Sequence, residues 1–148
     1  MVPSTQELLE FLSNKKRIDE YLHQHDESQD AKSLEVYLQQ LLSETGKKRA
    51  EIIRQTDLNA THAYQIFNGT RGASRDNLLQ LAFAFSLDLQ QTQRLLYYGK
   101  DSSLYAKNKR DGIIIYALLH NKSLRETDEL LYELEEQTIS PNPSEDNK

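Results

Sequence analysis

Residues 48–85 read KRAEIIRQTDLNATHAYQIFNGTRGASRDNLLQLAFAF. Two short helical patterns meet here at a tight turn, and the second ends in Asn68-Gly69. The spacing predicts a helix over 48–56 with Ile52 and Ile53 inward, a turn at Asp57-Leu58, and a helix capped by Asn59 and running to Phe67. Ala63, Ile66 and Phe67 form the inward side of that helix, and Asn68-Gly69 supplies the positive φ that stops it. Ser74 caps a further helix carrying Leu78, Leu81, Ala82 and Phe85. A helix, a turn and a second helix with a polar N-terminal face is the arrangement that enters a DNA major groove.

Outward from this unit the chain reads as helical nearly throughout, an all-α pattern. On the N-terminal side, Ser33 caps a helix with the stripe Leu34, Tyr37, Leu38, Leu41 and Leu42, and Gly46 ends it. Before that lies an N-terminal extension, 1–32. Ser4 and Glu7 form a capping box for a helix carrying Leu8, Leu9, Phe11 and Leu12, a second stretch carries Ile18, Tyr21 and Leu22, and the polar run 23–32 is a linker. On the C-terminal side, a short helix over 88–98 stops at Gly99 and closes a unit spanning 33–99. A helical pair over 100–139 follows, with Ile113–Leu119 in its first helix, a turn at Asn121-Lys122, and a second capping box from Ser123 and Glu126. Leu124, Leu130, Leu131 and Leu134 continue its stripe, and residues 140–148, with Pro141 and Pro143, read as a disordered tail.

The whole chain has 148 residues and a net charge of −5, which counts mildly against a nucleic-acid binder. The charge is unevenly placed. Between Lys47 and Arg75 six cations face two anions, a local +4, whereas from Glu126 onward eight anions face one lysine, giving −7. Phosphate attraction acts over about 8–10 Å, so the local patch outweighs the sum. The alternative is that both sets are solvated helix faces. No cysteine is present, which excludes disulfides and fits a reducing cytosol; no apolar run suits a leader or a membrane span, so a cytoplasmic location is expected.

The motif I-F-N-G-x-R at 66–71, followed by S-x-x-x-L-L-x-L-A at 74–82, together with Ile52-Ile53 and Leu58-Asn59, resembles the Cro/CI (XRE) family of bacterial and phage helix-turn-helix regulators. The resemblance covers residues 33 to about 98 and implies a five-helix lambda-repressor-like DNA-binding unit. The stretches L-Y-A-K-N-K-R-D-G-I-I-I-Y-A-L at 104–118 and E-L-L-Y-E-L at 129–134 look like the C-terminal part of small Firmicutes regulators of this family. The chain departs from the pattern at Asp57, where glycine is usual, at Thr56 for leucine, at Ala63 for isoleucine or valine, and at Arg49 for a phosphate-binding glutamine. Asp57 tolerates the left-handed conformation that glycine would supply.

The family's pattern places base contacts at Ala60, Thr61 and Gln65, with His62 beside them. The chemistry agrees: Gln pairs with adenine N6/N7, Thr bonds either class of base edge, and an Ala or Thr methyl touches the thymine methyl. Asn68, Thr70 and Arg71 fall where phosphate contacts are expected, Arg49 begins the preceding helix, and Lys48 and Arg75 (with Lys47) are further phosphate candidates. The bland alternatives are solvent-facing polar residues for Thr61, Gln65 and His62, a surface ion pair for Arg71, and a core position for Tyr64. Four histidines without cysteine offer little for a metal, and no P-loop, nucleophile elbow or HExxH occurs, so neither enzyme activity nor a cofactor is expected. The expected partner is double-stranded DNA, bound as a homodimer because one recognition helix reads only a few base pairs. Leu8–Leu12 has the better claim to the dimer contact, Ile113–Leu119 to the core. The second reading is a protein-interaction module, antitoxin-like or kinase-associated, that keeps the fold without binding DNA.

Overall fold

The computed structural model describes residues 33–141. The expected N-terminal helices, the Leu8–Leu12 stripe and the linker lie outside the described residues, as do residues 142–148 of the tail. Seven helices and no strand occur among the described residues: α1 (Leu34–Thr45), α2 (Arg49–Arg54), α3 (Ala60–Asn68), α4 (Arg75–Ala84), α5 (Leu89–Tyr98), α6 (Lys109–Leu119) and α7 (Leu124–Glu133). None is long and apolar enough to cross a membrane.

Local signals start and stop these helices. Side chains of Ser33, Asn59, Ser74, Asp88, Asn108 and Ser123 each accept the backbone N–H three residues on, filling an orphan donor of the first turn. Glu126 returns the bond to the Ser123 N–H at 2.9 Å, so the expected capping box is present. Gly46 (φ 71) and Gly69 (φ 78) end α1 and α3 in the left-handed conformation.

The core forms around α4. Leu78, Leu79, Gln80, Leu81, Ala82 and Ala84 are all buried, because α4 packs against α2, α5 and α7. A helix covered on every side must be apolar all round, which explains the L-L-x-L-A run. Tyr37, Leu38 and Leu41 of α1 join Ile66 and Phe67 of α3 and Leu95 and Leu96 of α5. The same apolar cluster continues through Ile114, Ile115 and Leu118 of α6 to Leu131 and Ile139. The unit drawn at 33–99 and the pair drawn at 100–139 therefore share one core.

Two local expectations need correcting. Leu134 does not continue the stripe: α7 stops before it, the chain turns at Glu135 (φ 62), and Leu134 is 44% exposed. Ile139 enters the core instead. The tail does not begin at Ser140, which is buried, and both carboxylate oxygens of the buried Asp128 hold this segment, accepting from Ile139 N–H at 2.6 Å and Ser140 N–H at 3.2 Å. Within the Ile113–Leu119 run, Ile114, Ile115, Ala117 and Leu118 are buried, while Tyr116 and Leu119 face outward, as helical periodicity requires.

Two ion pairs hold α6 to α4. Asp111 takes both terminal nitrogens of Arg75, at 2.9 and 2.7 Å, and Asp76 takes both of Arg110, each at 3.1 Å. The dipeptide Arg-Asp at the start of α4 thus pairs reciprocally with the same dipeptide at the start of α6. Arg110 also donates to the Gln137 and Thr138 carbonyls, tying in the segment after α7.

Candidate nucleic-acid interface

Helix α3 buries Ala63, Ile66 and Phe67 and turns Ala60, Thr61, Tyr64 and Asn68 outward, with Gln65 half-buried beside them. A small alanine fits at 63 because the site is fully enclosed. Its N-terminus is set by Asn59, whose side chain accepts the His62 N–H at 3.1 Å. Its C-terminus needs Gly69 because φ there is 78°, a left-handed conformation that side chains rarely adopt.

The turn into α3 uses neither glycine nor a left-handed residue. Asp57 is absent from the positive-φ residues, so the expected left-handed role for it is not used. Its N–H donates instead to Gln80 Oε1 at 2.7 Å, and Gln80 is 1% exposed within α4. Thr56 turns the chain as well: its hydroxyl donates to the Ile53 carbonyl at 2.7 Å and accepts from the Leu58 N–H at 3.3 Å. Leu58 then packs against the core. The two departures at 56 and 57 form a polar turn anchored from below.

Arg49 is clipped to the outer side of α3. Its Nη1 donates to Asn68 Oδ1 at 2.8 Å, and its guanidinium lies 5.7 Å from the centre of the Tyr64 ring. Tyr64, which the sequence left open between a core position and a DNA contact, is 37% exposed here. Arg49, Tyr64 and Asn68 thus form one contiguous surface, next to Thr61 and Gln65 on adjacent turns. His62 is half-buried, and its Nε2 faces the Gly72 carbonyl at 3.5 Å, on the loop side of the helix. Thr70 bonds the Gln65 carbonyl through both its N–H (3.0 Å) and its hydroxyl (3.3 Å), which fixes the start of the loop. Lys48 and Arg71 are exposed, and Arg71 shares an open groove of about 820 Å³ with Lys100, a cation the sequence did not point to.

Arg75 is a correction. Besides Asp111, its Nε donates to the Ser102 carbonyl at 3.0 Å and its Nη2 to the Ser103 carbonyl at 2.9 Å. With its charge matched and four of its five N–H donors engaged, it is not a free phosphate ligand, and five cations against two anions remain between 47 and 75. Burial alone would push the Asp111 carboxyl up. The Arg75 bonds and the Tyr105 N–H together outweigh that and hold it below the usual carboxylate range. At Asp128 burial wins over its N–H donors and the carboxyl is raised.

No family model, no curated protein and no solved structure matches the chain.

Proposed function

We propose that the chain is a sequence-specific double-stranded-DNA-binding regulator, a dimeric repressor of lambda-repressor-like type that reads the major groove with α3. The observation that carries this is the outer surface of α3. Thr61, Tyr64, Gln65 and Asn68 lie on one side of a helix fixed at both ends, and Arg49 borders them. A rigid helix with base-reading side chains in its first turns and a guanidinium at its flank suits a major groove between phosphate rows. Lys48, Thr70 and Arg71 extend the same role to the backbone. A cytoplasmic location follows from this role.

The second reading, an interaction module that retains the fold, draws on one finding: Arg75 is consumed inside the molecule, which thins the positive patch. Selection of bound sequences from random duplex DNA, retested at two salt concentrations, separates the two. A palindromic motif with half-sites about one helical turn apart supports the regulator. Weak binding without enrichment, lost at moderate salt, leaves only the phosphate contribution and selects the interaction module.

A further inference from the structure

We infer that the half-site is A·T-rich and is recognised largely through thymine methyl groups, with Tyr64 as one of the readers; this rests on the DNA-binding reading above. The first ground is composition at the right place. Helix α3, from Ala60 to Asn68, contains no lysine or arginine. Those side chains make the commonest specific contact in the major groove, the bidentate bond to guanine O6 and N7. The adjacent Arg49 is held by Asn68 and by the Tyr64 ring rather than extended toward a base edge.

The second ground is what α3 presents instead. Ala60 and Thr61 are exposed in its first turn, and Tyr64 follows one turn later on the same side. These offer a methyl, a second methyl and an aromatic ring. The thymine C5-methyl is the apolar group of the major groove, so an apolar strip there discriminates for thymine. Gln65, next along, matches adenine N6 and N7. The third ground is rigidity. The guanidinium over Tyr64 is itself tied to Asn68, so the ring is ordered before DNA arrives and less side-chain freedom is lost on binding.

The test uses the full chain and the duplex enriched from random DNA, with each dT replaced in turn by dU, which removes the methyl and keeps the base pairing. Removal of a read methyl should weaken binding about fourfold, the worth of one buried methyl group. At one position the penalty should vanish in Tyr64→Ala and persist in Tyr64→Phe. A G·C-rich half-site, or affinity indifferent to every dU, overturns the inference while leaving sequence reading intact. A dU penalty unchanged in Tyr64→Ala removes Tyr64 as a reader. Absence of any enriched sequence overturns the inference together with the DNA-binding reading.

Discussion

Gln65 sits on the outer side of α3, and its backbone carbonyl is gripped twice by Thr70, so its side chain projects from a fixed point. On the proposed DNA-binding reading, Gln65→Ala should therefore cost about 1–3 kcal/mol on the preferred duplex and relax base choice at one position. Competition binding against single-base variants of the site measures this; equal loss on random DNA rejects base reading by Gln65. Arg49 stands differently. It bonds Asn68 and lies over Tyr64, so Arg49→Ala should do more than shallow the salt dependence by about one phosphate's worth. It should also raise the cost of ordering Tyr64 and weaken the preferred duplex more than random DNA. Affinity titrations on both duplexes across salt concentrations separate the two effects.

Among the elements, the caps were the most legible feature of the sequence. Ser33, Asn59, Ser74 and Ser123 were each expected to start a helix, and each does, because a cap bond spans three residues and is written locally. The support of the α2–α3 turn was not legible. Gln80 lies 23 residues from Asp57, inside an apolar run where a polar residue gives no hint of its partner. From sequence, the departure from glycine at 57 reads as a left-handed aspartate for the same reason: the actual support comes from another helix. Gln80→Leu should leave the part-buried Asp57 N–H without its acceptor and destabilise by about 1–3 kcal/mol. Urea unfolding would show this as a lower midpoint at unchanged slope; an unchanged midpoint would mean that the turn stands without Gln80.

For the whole molecule, the decisive contacts are the reciprocal Arg-Asp pairs. Positive charge at Arg75 was visible in the sequence, but its partner, 36 residues away, was not. One-dimensional charge counting therefore assigned it to DNA. Asp111→Asn should cost about 2–3 kcal/mol near neutral pH, less than the 3–5 of a fully buried pair because the Arg75 side chain keeps 22% of its surface. The pH dependence has a definite sign. The Asp111 carboxyl lies below its ordinary value in the folded protein, so its contribution is present above that ordinary value and is lost as pH falls through the lowered one. Asp128, raised by burial, works in the opposite direction. Denaturant titrations between about pH 5 and pH 2 should show wild-type stability falling on acidification and Asp111→Asn falling less. Parallel curves would show that the pair adds nothing to acid sensitivity.

The pairing of α4 with α6 also sets a timetable for biosynthesis. The ribosome completes α1–α5 before it makes α6 or the residues around Ile139 that finish the shared core. At about 5–20 residues per second, a delay of roughly 2–8 s separates residue 99 from residue 139. Until residues 110 and 111 are made Arg75 and Asp76 have no α6 partners, and for longer the side of α4 that α7 later covers stays open to solvent. A nascent chain stalled in that window should bind a holdase chaperone, and release of about forty further residues should free it.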